Sequence, residues 1–127
     1  MAAMTECRVL VVEDEEVIAA ALDDTLQGVG AVVLGPVGSV REALALLERE
    51  RPAAAVLDLN LHGEMAGPLM DALARRAIPF VVGSGYAGLG LPERHQAAPL
   101  LTKPYGLADM VMALWGVLRG SGKVVAG

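Results

Sequence analysis

Carboxylates stand directly behind two apolar runs of the chain: Glu13 and Asp14 follow Arg8-Val9-Leu10-Val11-Val12, and Asp58 follows Ala53-Ala54-Ala55-Val56-Leu57. Ser84 and Lys103 follow two later runs in the same way. Three carboxylates gathered at one place repel one another, and all stay ionised only around a cation. No His or Cys cluster offers a soft site, so a hard, oxygen-seeking divalent ion fits, magnesium or else manganese. A carboxylate beside such an ion can attack a phosphoryl group, because the metal and a lysine neutralise the charge that spreads over its equatorial oxygens. Asp58 is the best-placed nucleophile. The loop after it, Leu59 to Gly63, could lend the Asn60 backbone carbonyl to the metal that Glu13, Asp14 and Asp58 hold. The Ser84 hydroxyl and the Lys103 ammonium could each bond a phosphoryl oxygen. Taken singly, each residue reads more readily as a cap, a turn or a solvated loop. Their joint placement is what carries the chemistry.

That placement requires a particular scaffold. Apolar runs too short for helices alternate with segments of helical period, the pattern of a parallel sheet covered on both faces. Strands are predicted at 8–12, 31–34, 53–57, 78–82 and 100–102. The first helix carries Val17, Ile18, Ala21, Leu22, Thr25 and Leu26 until Gly28 and Gly30 stop it. Ser39 and Glu42 form a capping-box pattern that opens a second helix, with Val40, Ala43, Leu44 and Leu47 on one face, running to about Arg51 before Pro52. A third spans about 64–76 with Leu69, Met70 and Leu73 inward, and the last runs from about Leu107 to Leu118. The stretch from Gly83 to Ala98 holds four glycines and Pro92, so any helix there is expected to be short and mobile. In an open parallel sheet, functional groups collect beyond the carboxyl ends of the strands. Glu13, Asp14, Asp58, Ser84 and Lys103 all fall at such ends.

The chain has 127 residues, the size of one domain, and a loose tail is expected at 120–127. A formal charge of −5 without any cluster of Lys and Arg argues against nucleic acid or an anionic membrane as a partner. One cysteine, Cys7, allows no intrachain disulfide and fits a reducing compartment. With neither a long apolar segment nor a signal-like start, the expected location is the cytoplasm. His62 and His95 have no partners at metal-ligand spacing and read as loop residues, with a role for His62 in shaping the acceptor loop as the alternative.

Glu13-Asp14, Val56-Leu57-Asp58-Leu59-Asn60, Gly83-Ser84-Gly85-Tyr86 and Thr102-Lys103-Pro104-Tyr105 together resemble the response-regulator receiver domain of two-component signalling, over about residues 8–119. The resemblance implies an α/β, doubly wound, flavodoxin-like fold: a five-stranded parallel sheet in the order 2-1-3-4-5 with about five helices on its two faces. It implies that Glu13 and Asp14 hold magnesium, that a histidine kinase or phosphotransfer protein phosphorylates Asp58, and that Ser84 is the switch hydroxyl. It further implies that Lys103 pairs with the phosphoryl group and that the Lys103–Pro104 bond is cis. Two positions depart from the usual pattern: Ser84 replaces a frequent Thr, and Leu100 replaces an aromatic three residues before the lysine. Tyr86 reads first as an exposed turn tyrosine, with substitution for that aromatic as the alternative.

With no effector domain in the chain, the expected output is a protein contact or onward phosphotransfer. The output face would be the glycine-rich segment, the fifth strand and the last helix. That helix carries a core stripe of Leu107, Met110, Val111, Leu114 and Leu118, and Met112 and Trp115 on an adjoining flank read either as a partner or self-association surface or as the edge of the core. A phosphate sink or relay and a pseudo-receiver that never takes a phosphoryl group are the alternatives. A true aspartyl hydrolase is disfavoured by Asn60, which stands where such an enzyme needs a second carboxylate. A nucleotide or flavin binder is disfavoured by four acidic residues, Glu13 to Glu16, after the first strand.

Overall fold

The computed structural model describes residues 4, 6–85 and 90–120. The main sheet is built from β1 (Arg8–Val12), β2 (Val32–Val37), β3 (Ala54–Asp58), β6 (Phe80–Ser84) and β7 (Leu100–Thr102). Two short strands, β4 (Asn60–Leu61) and β5 (Glu64–Met65), form a separate antiparallel hairpin. The order across the sheet is β2-β1-β3-β6-β7, every pair parallel, which is the expected 2-1-3-4-5 topology. The helices are α1 (Glu16–Gly28), α2 (Val40–Leu47), α3 (Gly67–Arg75) and α4 (Leu107–Gly120).

Alternation along the central strands divides the core in two. Leu10, Val12, Ala55, Leu57, Phe80 and Val82 pack toward α2 and α3, whereas Val9, Val11, Ala54, Val56 and Val81 pack toward α1 and α4. Both faces are covered, which is why these strands read as continuous apolar runs. The inward residues expected on α3, Leu69, Met70 and Leu73, are fully buried.

Several boundaries differ from expectation for local reasons. β2 continues to Val37, which pairs with Val12 across an irregularity at Gly35-Pro36. α2 stops at Leu47, where the amides of Glu48 and Arg49 bond back three residues, to Ala45 O at 3.2 Å and Leu46 O at 3.1 Å, and tighten the last turn. The third helix begins at Gly67 rather than near 64, since 60–65 is taken by the hairpin; His62 and Gly63 both have positive φ, 52° and 84°, as a tight two-residue turn requires. Pro68 in the first turn of α3 was the sequence signal for this later start. The fourth strand of the sheet begins at Phe80, one residue past Pro79, whose carbonyl accepts from Ala55 N–H. In place of a fifth helix, the described part of 83–98 holds one 3-10 turn, Glu93–His95. Val17 was expected with the inner residues of α1 but is 83% exposed, and Ala19 takes the inward place. Tyr86 and the tail beyond Gly120 lie outside the described residues.

Candidate functional site

The parallel register brings the predicted residues to one end of the sheet. Asp58, the last residue of β3, pairs with Gly83, and Ser84 pairs with Thr102, directly before Lys103. Lys103 N–H donates to Ser84 O at 2.8 Å, and the Lys103–Pro104 bond is cis, as expected. An open cleft of about 390 Å³ is lined by Asp14, Glu15, Asp58, Asn60, Met65, Ser84 and Lys103 among others.

Lys103 is the electrostatic centre of this cleft. Its Nζ lies 2.9 Å from Asp58 Oδ2, 3.1 Å from Glu13 Oε1 and 3.1 Å from Glu15 Oε1. Asp58 Oδ1 accepts from the Asn60 amide at 3.1 Å, so both oxygens of the central carboxylate are held. Glu13 Oε2 accepts from the Glu15 amide at 3.1 Å. Asp14 reaches the acceptor loop, where its Oδ2 accepts from the His62 amide at 2.8 Å and lies 3.3 Å from His62 Nδ1. That contact gives His62 the loop-shaping place.

Burial sets the charge balance. Desolvation pushes the Glu13 carboxyl up to about 7, against the Glu15 amide and Lys103, with Asp58 adding to the rise. Desolvation also acts upward on Asp14, but the His62 amide and the neighbouring side chains outweigh it and hold its carboxyl below the ordinary value. Burial alone would lower Lys103, yet its bonds to Asp58 and Glu13 raise it, so the ammonium is firmly protonated. Tyr105 beside the cleft is pushed up to about 12, chiefly by burial and then by the Glu13 charge.

The chemistry of the donors fits a hard divalent ion. Carboxylate oxygens of Glu13, Asp14, Glu15 and Asp58 all lie within 4.8 Å of one another, with no thiol or imidazole in the set. Glu15 was absent from the sequence-based set, although its place directly after the acidic pair was the available signal.

Comparison with solved structures decides the family. SdrG from Sphingomonas melonis Fr1 is 39% identical and superposes with a TM-score of 0.73 over 90% of this chain and 98% of its own. The chain belongs to the response-regulator receiver family. The BeF3-activated conformation of SdrG, from Pseudomonas melonis Fr1, is 35% identical over 98% of this chain and 100% of that one, with a TM-score of 0.72. The response regulator PhyR from Brucella abortus is 26% identical, with a TM-score of 0.76 over 95% of this receiver chain and 51% of PhyR. Among curated proteins, the transcriptional regulatory protein PdtaR from Mycobacterium tuberculosis is 28% identical over 111 residues, 84% of this chain. The chain spans about half the length of that relative, 54%. No family model matches it. No described helix is long and apolar enough to cross a membrane.

The face expected to display Met112 and Trp115 needs correction. Met112 is 56% exposed, but Trp115 is 4% exposed and packs with Met110, Leu114 and Leu118 in the core beneath α1 and α4. At 100° per residue Trp115 borders the apolar stripe, and a ring of that size is drawn in to close its edge.

Proposed function

We propose that this receiver takes a phosphoryl group on Asp58 from a histidine kinase or phosphotransfer protein and signals through protein contacts. The observation that carries the reading is the Lys103 ammonium 2.9 Å from a buried Asp58 carboxylate inside an acidic cluster, with Ser84 lining the same cleft. In the transfer, a carboxylate oxygen of Asp58 forms a bond to phosphorus as the bond from phosphorus to the donor breaks, and the leaving group keeps the electron pair. Lys103 offsets charge on one phosphoryl oxygen, and the Ser84 hydroxyl bonds another. Magnesium or manganese held by Glu13, Asp14, Asp58 and the Asn60 carbonyl would supply further neutralisation. The existence of a BeF3-activated conformation of SdrG supports the reading by analogy.

The response to phosphorylation runs through the loops that carry Ser84 and Lys103. Added charge draws both side chains inward, and the segment between them shifts against α4. Met112, exposed on that helix, remains a candidate contact for a downstream partner or a second copy. A cytoplasmic location belongs to the same proposal and is supported by the lone, buried Cys7.

The test is intact-mass measurement after incubation with magnesium and acetyl phosphate, for the wild type beside Asp58→Asn. A gain of one phosphoryl mass in the wild type alone is expected. No gain, together with no magnesium binding, would overturn the reading in favour of a pseudo-receiver.

A further inference from the structure

The cleft above Asp58 is polar on nearly every side. Among its described lining residues only Leu59 and Met65 carry large apolar side chains, and they stand differently. Leu59 is 2% exposed and belongs to the core below, whereas Met65 is 38% exposed where the cleft meets solvent.

Met65 is held at both ends. Its backbone pairs with Asn60 across the hairpin, and the next amide, Ala66 N–H, donates to Leu59 O at 2.9 Å. Its thioether reaches the segment that follows Ser84: a β-carbon on Gly90, whose φ is +92°, would lie 2.6 Å from Met65 Cε and 4.0 Å from Sδ. The terminal methyl thus fills a notch that a glycine leaves, and the side chain spans from the acceptor-loop hairpin to residue 90.

A phosphoryl group on Asp58 is lost when a water oxygen bonds to phosphorus as the bond from phosphorus to the Asp58 oxygen breaks. Asp58 leaves as a carboxylate with the electron pair, the product is inorganic phosphate, and a water proton passes to solvent. Neutralisation of charge by Lys103 favours loss of the phosphoryl group as well as its gain, so the admission of water is what remains to set the lifetime. The attack is in line, so water enters opposite the Asp58 oxygen. Asp58 is 7% exposed at the end of β3, so that entry lies on the solvent side of the cleft, where Met65 stands. A thioether donates no hydrogen bond and accepts only weakly, so it occupies space there without orienting a nucleophilic water.

We propose that Met65 is an apolar cover over the phosphoryl site, a specificity-determining residue that slows hydrolysis of the Asp58 acyl phosphate while leaving its formation unhindered. The inference rests on the phosphoacceptor reading above. Formation is spared because a docking donor presses the flexible thioether aside, which a lone water does not do.

The experiment loads the protein with acetyl phosphate and magnesium, removes the donor by desalting, and follows decay of the phosphoryl mass at fixed magnesium. The proteins are the wild type, Met65→Leu, Met65→Ala and Met65→Gln. Leucine keeps an apolar side chain of similar volume, so its lifetime should stay within about twofold of the wild type. Alanine uncovers the site and glutamine offers water a hydrogen-bonding amide, so both should decay faster by about fivefold, the rate equivalent of one hydrogen bond to the attacking water. Damage to the hairpin would loosen the metal site and slow hydrolysis instead, so a longer lifetime in Met65→Ala overturns the proposal in favour of a purely structural role. A glutamine variant as long-lived as the wild type, beside a short-lived alanine variant, overturns the apolar cover in favour of bulk alone. Lifetimes equal to that of a phosphorylated wild type in all three variants sink this inference alone. A wild type that gains no phosphoryl mass sinks the phosphoacceptor reading and this inference with it.

Discussion

His95 Nε2 lies 2.7 Å from Asp71 Oδ1, and the same carboxylate takes two bonds from Arg94, at 2.7 and 2.9 Å. This clasp ties the 3-10 turn to α3, and the His95 ring is seated edge-on against Phe80 at 5.6 Å. It fixes Glu93–His95 between α3 and the sheet.

The clasp gives acid unfolding a definite sign. Arg94 first, and then His95, hold the Asp71 carboxyl well below the usual carboxylate range. The unfolded chain therefore binds this proton more readily than the folded one. The stabilisation is fully present above the ordinary value of about 4 and fades as the pH falls through it toward the depressed folded value. Urea unfolding of the wild type and Asp71→Asn should show a margin in favour of the wild type at about pH 5 that shrinks by about pH 3. The remaining carboxylates are common to both proteins and cancel in the comparison. A margin unchanged at low pH would mean that the Asp71 charge contributes nothing to the clasp.

Lys103 is expected to matter for stability before any phosphoryl group arrives. Lys103→Met removes the cation from between Asp58 and Glu13, both buried, so Glu13, whose carboxyl burial already pushes up to about 7, has to take a proton and Asp58 is left without its ion-pair partner. Stripping one partner from a buried ion pair costs about 3 kcal/mol. Urea unfolding without metal should show a loss of that order, and magnesium should restore a larger share in Lys103→Met than it adds to the wild type. An equal gain in both proteins would show that metal and lysine do not share the neutralising task.

The rim residues were legible in the sequence because each follows its own strand, so a local rule applied separately at residues 13–14, 58, 84 and 103 assembles the set without knowledge of tertiary contacts. The sheet order was legible through the family resemblance and the buried, alternating runs. What escaped was non-local or carried by turn chemistry. Asp71 and His95 are 24 residues apart with no periodic relation, so only the packing of the 3-10 turn on α3 makes them partners. The hairpin at 60–65 is too short to alter hydrophobic periodicity, and a His-Gly pair is a weaker turn signal than Asn-Gly. Trp115 lay at the boundary between core stripe and surface, where a helical wheel alone does not decide.

Gly35 supplies a third prediction. Its φ is +92°, and a β-carbon there would stand 2.8 Å from Val37 N and 3.0 Å from Val11 O, both backbone atoms that cannot swing aside. Gly35→Ala should therefore cost about 2 kcal/mol, combining left-handed backbone strain with the clash. Gly28→Ala is the matched control, because nothing lies within 4 Å of the added carbon and its φ is ordinary. Thermal unfolding of the two variants should separate them by several degrees. Similar transitions would mean that β2 can re-register around residue 35.

Trp115 decides between core and surface at the last helix. Its indole is 4% exposed, Nε1 has no hydrogen-bond partner among the described residues, and the Arg119 guanidinium carbon lies 5.7 Å from the ring centroid. Because it is the single tryptophan, its emission should be blue-shifted and resist acrylamide quenching until the protein unfolds. Trp115→Ala should cost about 3–5 kcal/mol through the cavity it leaves. Trp115→Phe should cost far less, since it keeps an aromatic ring under Arg119 and removes an N–H that contributes no bond. A Trp115→Ala variant of wild-type stability, with readily quenched wild-type fluorescence, would place the indole at the surface and return it to the partner-binding face with Met112.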